Sequence, residues 1–497
     1  MLLKGNARVA VVAGFLISLT LVGLLFIAPL DDASHALRKL GNPFKHSPSA
    51  TVTQIFGDAT WTEISASATS KPAQDDHDAG HDNDDQDVDD DMAWHPAGHL
   101  PAAQQKASDE AMALEHIRLT TNTTLRRNGT FFPIVFPGQG SYNPNIIPHP
   151  SHEDTYIIVA QRDKRDDDEL IFYSALFCEA MFFDGELICI KAPLILPIQS
   201  TTTDACEGSK WDEAREWIGP HDTRIFYGVH GHPYAMFSSQ AEHHCFGEWL
   251  QRLDRLMPWL PGPSTYTNDS FFRATDLKRP PPFGAMEKNW FVFWDRNNQS
   301  YLHYDVFPSR TFAKLDRDGS VGEDLSHLAL SDAQCLSDYM PSVNPATNLE
   351  WIHQSTNSLA VTFCNRTDPT CIPSANNTRL FTLFQHKSFY GHGVYEPYIM
   401  VFSQEAPFAV YGISSKPLWF EGRGEAGGAW SEGTWRPDDQ SQLLFVVSMN
   451  WRRQGSGYHG FLDDELFVSF GVEDQASGGA AVVAGELLAE LNLCDQG

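Results

Sequence analysis

Between Val9 and Leu30 the chain carries no charged side chain, and as a helix this stretch is about long enough to cross a ~30 Å hydrocarbon core. Lys4 and Arg8 precede it and Asp31 and Asp32 follow, an order of charge that favours a cytoplasmic N-terminus. A cleaved signal peptide has an apolar core of only ~7–15 residues. This stretch is longer, and no clean small-x-small cleavage site follows it. The expectation is a single-pass type II membrane protein. Residues 1–8 form a cytoplasmic tail, 9–30 a transmembrane signal anchor, and the remainder lies in the lumen of the Golgi or endoplasmic reticulum.

Two features beyond the anchor agree with that orientation. Asn122, Asn128, Asn268, Asn298, Asn365 and Asn376 each begin an Asn-x-Ser/Thr triplet, the acceptor for N-linked glycans. The 8 cysteines also all follow the anchor, and an even count in an oxidising lumen can pair completely. Cys364 and Cys371 bracket a polar loop and are the expected disulfide. No C-x-x-C spacing occurs, so no metal site of the zinc type is expected. The net charge of −29 argues against nucleic acid as a partner, because a polyanion is held by a basic footprint.

From Asp31 to about Arg127 no apolar periodicity is visible, and Gln74 to Asp91 is an aspartate-rich run. Low hydrophobicity with high charge cannot offset the entropy of ordering, so residues 31–130 are read as a disordered acidic stem. At about Phe131 the character changes to short β-branched and aromatic runs separated by turn chemistry. Tyr156–Ala160 is followed by Leu170–Phe183, which turns at Asp184-Gly185 into Glu186–Ile190. Arg224–Tyr227 turns through His230-Gly231 into Pro233–Phe237, and Trp290–Trp294 turns at Asp295–Asn298 into Tyr301–Val306. Further strands are expected at Leu359–Phe363, Leu380–Gln385, Tyr398–Phe402, Phe408–Ile413, Leu443–Met449 and Leu466–Phe470. Such turn pairs between apolar runs signal hairpins. Phe246, Trp249, Leu250, Leu253, Leu256 and Met257 fall at helical spacing and predict one helix, with a second over Gly485 to Leu493. The pattern predicts an all-β domain over 131–497, most economically a β-propeller, with a two-sheet sandwich still open.

Several strings then stand out in order: Asn143-Pro144-Asn145; Gly219-Pro220-His221-Asp222-Thr223-Arg224; Glu287-Lys288-Asn289-Trp290; His386-Lys387; Tyr395-Glu396-Pro397; Tyr458-His459-Gly460; and Asp463-Asp464. Together they resemble the five-bladed β-propeller phosphorylases and hydrolases acting on β-mannosides and, with the anchor, the related fungal β-mannosyltransferase type of Golgi glycosyltransferase. The Glu-Asp-Pro-Arg string of those enzymes is similar to His221-Asp222-Thr223-Arg224 here, with Asp and Arg kept and the flanking Glu and Pro replaced.

The resemblance implies a five-bladed propeller in which Asp222 is the catalytic carboxylate and Arg224 orients it or clamps a phosphate. It also implies that Asn145, Glu287, Lys288, His386, Lys387, Tyr395, His459 and Asp464 bind substrate, the lysines neutralising phosphate. A structural ion pair at a blade start is the alternative for Arg224, and His459 reads equally as a satisfied half-buried histidine.

Three functions follow. The first is an inverting glycosyltransferase moving mannose from a nucleotide sugar to a glycan. The second is a tethered propeller hydrolase or phosphorylase, and the third is a catalytically inactive carbohydrate-binding propeller, which the altered string favours. No cofactor is fixed by the residues. Asp316-Arg317-Asp318 matches the Asp-x-Asp that holds Mn²⁺ or Mg²⁺ in many nucleotide-sugar enzymes, though a plain polar turn explains it as well. Gly422, Gly424 and Gly427 lack the apolar helix a dinucleotide fingerprint requires, and there is no phosphate loop or Gly-x-Ser-x-Gly elbow.

Overall fold

The alternation of apolar runs with turn residues produces five successive antiparallel meanders in a computed structural model. It describes residues 115–495 except 164–171, 243, 258–259, 261–270, 345–349, 389–392, 427–428, 432–433 and 436–439, and excepting the side chains of 429–431 and 434–435. The expected anchor, stem residues 31–114 and the Asn268 sequon lie outside the described residues. Among the described residues no helix is long and apolar enough to cross a membrane.

The first meander comprises Ser141–Pro148, Tyr156–Arg162, Ala175–Phe183 and Glu186–Cys189. The second comprises His221–Tyr227, Pro233–Ser239, Gly247–Arg252 and Thr275–Asp276. The third is Phe291–Trp294, Ser300–Asp305, Thr311–Leu315 and Val321–Asp324. Leu359–Thr362, Thr378–Ser388, Val394–Ser403 and Val410–Ser414 make the fourth, and Glu350–Gln354 pairs with the end of its second strand. The fifth takes Leu444–Trp451, Glu465–Val472 and Ala476–Val483 from the C-terminal part, completed by Phe132–Val135 from the other end of the domain. That last strand also pairs in parallel with Glu186–Cys189, so it joins the fifth meander to the first.

Buried amides tie neighbouring first strands together. Asn145 donates to the Thr223 carbonyl (2.8 Å) and accepts from the Ile225 amide (3.1 Å), linking the first meander to the second. Arg224 reaches Asn289, just before the third, and Gln354 donates to the Asn289 carbonyl. Asn357 exchanges two bonds with the Met449 backbone, joining fourth to fifth, and Asn450 returns to the Ile225 carbonyl. Buried amides left without partners would each cost about 1–3 kcal/mol, so these bonds fix the order of the meanders as well as their stability.

Two helix expectations fail. Gly247–Arg252 is a strand pairing with Pro233–Ser239 along its length, and only Leu253–Leu256 is helical. The apolar spacing there is real, but sheet pairing outweighs it. Gly485 to Leu493 is one turn, Ala484–Leu487, followed by a strand at Leu491–Leu493 on the fourth meander. Order also begins earlier than the stem reading: Ile117–Leu119 pairs in parallel with Leu418–Phe420 and buries Ile117 and Leu119. Three residues are too few to show a period. The cysteines form four disulfides, Cys178–Cys189, Cys206–Cys245, Cys335–Cys494 and Cys364–Cys371.

Candidate functional site

Asn and Asp tolerate the left-handed backbone better than other side chains with a Cβ. Three of them occupy it at the starts of consecutive meanders: Asn143 (φ 51°), Asp222 (φ 48°) and Asn289 (φ 68°). The first two sit in register shifts, between Tyr142 and Asn145 and between His221 and Arg224. Such bulges turn a side chain out of the strand's alternation. Here they bring Asn143 and Asp222 face to face, the Asn143 amide donating to Asp222 Oδ1 at 2.7 Å. The Asp222 backbone N–H is held by Gln161 Oε1 at 3.1 Å.

Two residues on, Arg224 is buried, with its Nη2 2.5 Å from Asn289 Oδ1 and its Nη1 3.9 Å from Glu248 Oε1. Glu248 is buried as well and accepts from the Asn289 N–H (2.6 Å) and the Ser238 hydroxyl (3.1 Å). Burial pushes the Glu248 carboxyl above its ordinary value, against the opposing pull of Arg224 and these two donors. Burial likewise lowers Arg224, against Glu248 and Asp222. Around Asp222, the buried Arg224 Nε, Thr223 Oγ1 and Asn143 Oδ1 bond to no described group. They leave polar capacity beside the carboxylate.

Glu287 is a clamp rather than a ligand-facing acid. It is buried, takes Arg279 Nη1 at 2.9 Å and the Gly284 N–H at 2.6 Å, and Arg279 also binds Asp305 at 2.7 Å. Lys288, half-buried, stands between it and Asn289.

In the fourth meander Trp351, Lys387 and Tyr395 are neighbours across three strands. The Lys387 ammonium lies 5.4 Å from the Trp351 ring centre and 5.6 Å from that of Tyr395, within cation–π range. His386 Nε2 is 3.3 Å from Glu350. Burial raises Glu350, but His386 and the Asn344 N–H outweigh it and hold the carboxyl below its usual range. Gln354, on the Trp351 strand, connects this group to Asn289.

Of the expected site residues, Asn145, Asp222 and Arg224 are thus in one bonded cluster with Lys288 adjoining, while His386, Lys387 and Tyr395 lie in the fourth meander, whose Glu350–Gln354 strand also carries Gln354, bonded to the Asn289 carbonyl. His459 and Asp464, expected to bind substrate, lie elsewhere. Gly471 packs on Asn143, a Cβ there falling 2.2 Å from Asn143 Oδ1. Asp464 stands beyond the opposite end of the Glu465–Val472 strand, roughly 20 Å away at ~3.3 Å per residue. It is held by Arg366 (2.8 and 2.5 Å) and the Phe461 N–H (2.8 Å), and His459 Nε2 bonds Thr362 Oγ1 at 2.7 Å. Asp464 does line a cleft of about 660 Å³ with Pro148, Asp154, Arg452 and Val483, but that cleft lies at this far end.

At both candidate cation sites protein groups already engage potential ligand atoms. Asp318 Oδ1 accepts from the Ser320 N–H (3.0 Å) and hydroxyl (2.5 Å), closing a tight turn between two strands, and these bonds hold the carboxyl below its usual range. His149, His152 and Glu179 cluster elsewhere. The Nδ1 of His149 accepts two backbone N–H groups, which leaves its proton on the Nε2 facing Glu179 at 3.6 Å. Lys191 holds that glutamate at 2.7 Å.

Sequence reading missed Glu248, which it assigned to a helix, and Trp351. Glu248 is identified by its partners alone, and no local motif surrounds it.

Solved structures with a similar chain course include a hypothetical protein from Leishmania major, 13% identical, covering 77% of this chain and 94% of its own at a TM-score of 0.37. A phosphate-bound mannose phosphorylase from Leishmania mexicana is 10% identical, covering 79% and 96%, with a TM-score of 0.36. A GDP-mannose-dependent mannosyltransferase from the same organism is 11% identical, covering 77% and 94%, also at 0.36. No protein-family model matches the sequence, and no curated protein matches it.

Proposed function

We propose that this chain is an inverting carbohydrate-active enzyme, a five-bladed propeller glycosyltransferase that moves mannose from a nucleotide sugar to a glycan acceptor. The same reading puts it in the Golgi or endoplasmic reticulum membrane with this domain lumenal. The observation that carries it is the half-buried Asp222 carboxylate, fixed by Asn143 and set beside the buried Arg224 where consecutive meanders meet.

In the forward reaction Asp222 takes the proton of the acceptor hydroxyl as that oxygen bonds the anomeric carbon. The bond from that carbon to the diphosphate breaks, and the leaving group keeps the electron pair. Lys288 and Lys387 are the cations suited to its charge. One direct displacement inverts the carbon.

Inverting hydrolysis instead needs a second carboxylate to activate water. Glu248 and Glu287, two acids of this cluster, are both buried and bonded within the protein, so neither is the base that would activate water. Phosphorolysis of a β-mannoside is therefore the second reading, with Asp222 protonating the glycosidic oxygen. A thermal-shift comparison of the full-length protein with GDP, UDP, phosphate and β-mannobiose tests the choice. Stabilisation by GDP supports the transferase and by phosphate the phosphorylase. A response to sugar alone overturns both in favour of a binding propeller.

A further inference from the structure

We propose that the half-buried rings of Tyr142, Tyr173 and Trp217, gathered with His221 beside Asp222, form the wall on which the pyranose ring of the substrate stacks. This rests on the reading of Asp222 above and assigns the sugar to one flank of the site.

The rings come from the first meander and the loop leading into the second, and the backbone holds them there. The Tyr173 N–H donates to the Ile218 carbonyl at 2.8 Å, and Phe172 bridges Ile218. Gly219, at φ 106°, lets the loop press on that segment, because a Cβ at this position would fall 2.2 Å from the Tyr173 carbonyl oxygen. A left-handed backbone with no room for a Cβ admits only glycine. His221 Nδ1 then bonds the Gly219 carbonyl at 3.1 Å.

The His221 ring centre is 3.8 Å from that of Tyr173 and 6.3 Å from that of Trp217. Buried Phe246 backs the row, edge-on to His221 at 5.0 Å and to Trp217 at 5.9 Å. Tyr142 immediately precedes the asparagine that holds Asp222. Burial first, then the charges of Asp222 and Asp474, push its phenol upward, so it stays a protonated donor.

This chemistry fits a pyranose and not a phosphate. Sugar rings present apolar C–H faces to aromatic rings and hydroxyls to phenols and carboxylates. Asp222, Asp474 and Asp163 all act on the Tyr142 hydroxyl, and carboxylates beside a protonated phenol are groups that pair with the hydroxyls of a neutral sugar. The lysines suited to phosphate belong to the third and fourth meanders. Sugar and diphosphate therefore take opposite flanks, with Asp222 on the sugar side.

The test uses full-length protein and calorimetric titration with β-mannobiose. Tyr173→Ala and Trp217→Ala are each expected to weaken binding about tenfold, while Tyr173→Phe binds within about twofold of wild type because the stacking face remains. Cooperative melting confirms folding, and Tyr173→Leu and Trp217→Leu, which keep apolar bulk without the ring, serve where an alanine variant does not fold. Unchanged affinity in both ring-deleted variants overturns the wall, as does failure of wild type to bind the sugar. Ring-dependent binding without turnover of either GDP-mannose or mannobiose with phosphate leaves the wall standing and sinks the catalytic reading instead.

Discussion

The side-chain amide of Asn143 donates to the carboxylate of Asp222 at 2.7 Å, and both residues reach that contact from left-handed backbone in adjacent meanders. An acid on a strand would ordinarily follow the strand's alternation. Here two bulges aim it, so its position depends on a residue 79 places earlier in the chain. Asn143→Gly keeps the backbone conformation open and removes the amide. The expected result is turnover lowered roughly 10- to 100-fold by misplacement of the carboxylate, with stability changed by less than about 1 kcal/mol. Steady-state kinetics beside a urea melt checks it, and unchanged kcat would show that Asn143 does not position the acid.

Two buried glutamates should report pH in opposite directions. Burial raises Glu248, so its contribution to stability is present below the ordinary glutamate range and is lost as pH rises through its folded pKa. Burial also pushes Glu396 upward, but Arg423 at 3.2 Å and His116 at 2.8 Å outweigh it and hold the group down. Its contribution is present above the ordinary range and lost as pH falls through the folded value. The melting temperature of Glu248→Gln relative to wild type should therefore rise with pH, while that of Glu396→Gln should fall. At neutral pH the latter strands Arg423 and costs about 3–5 kcal/mol. Parallel trends for the two variants would contradict the assignment.

Much of the strand order was legible because apolar runs with Asp-Gly and similar turns leave few alternatives. The strands that escaped have local reasons. Ser141–Pro148 contains two prolines and an Asn-Pro-Asn bulge, which hide the alternation of a regular strand. Ala476–Val483 is small and glycine-rich because Phe470 and Phe132 lie where side chains at Gly478 and Gly479 would go, at 2.8 Å from each built Cβ. At the site, Asp222, Arg224 and Asn145 were marked by resemblance, and their mutual contacts follow from bulges that no local pattern announces. Glu287 and Asp464 sat in similar strings, yet each is consumed by an arginine. Whether an acid is bonded or available depends on partners distant in sequence, and for Asp464 that partner is 98 residues away.

Glycan occupancy should divide by geometry. Asn128, Asn298, Asn365 and Asn376 are exposed. The Asn122 amide nitrogen, the atom that would carry a glycan, instead bonds Glu465, and its Oδ1 accepts from Thr124 at 2.8 Å. Glycopeptide mass spectrometry of protein from a eukaryotic secretory host is expected to find glycans at the four exposed sites and little at Asn122. Full occupancy at Asn122 would mean that the Glu465 contact is absent from the secreted protein.

Asp222 and Asp464, the one expected to be catalytic and the other to bind substrate, should separate cleanly when each is made asparagine. Asp464 is buried and closes a loop through three bonds from Arg366 and one from the Phe461 N–H. Asn keeps the shape but not the charge, and Arg366 is partly exposed, so solvent shares the loss. A cost of about 1–3 kcal/mol is expected, with kcat nearly unchanged because the group lies roughly 20 Å from Asn143. Asp222→Asn retains the contact to Asn143 and a comparable size, so the fold should survive with stability within about 1 kcal/mol. It cannot accept a proton, and general base catalysis contributes typically 10²–10⁴-fold, so turnover should fall by about that factor while mannobiose binding persists. Melts and kinetics on the two variants together decide the matter. Loss of activity in Asp464→Asn without loss of stability would move the site to the far cleft, and an active Asp222→Asn would remove Asp222 from the chemistry.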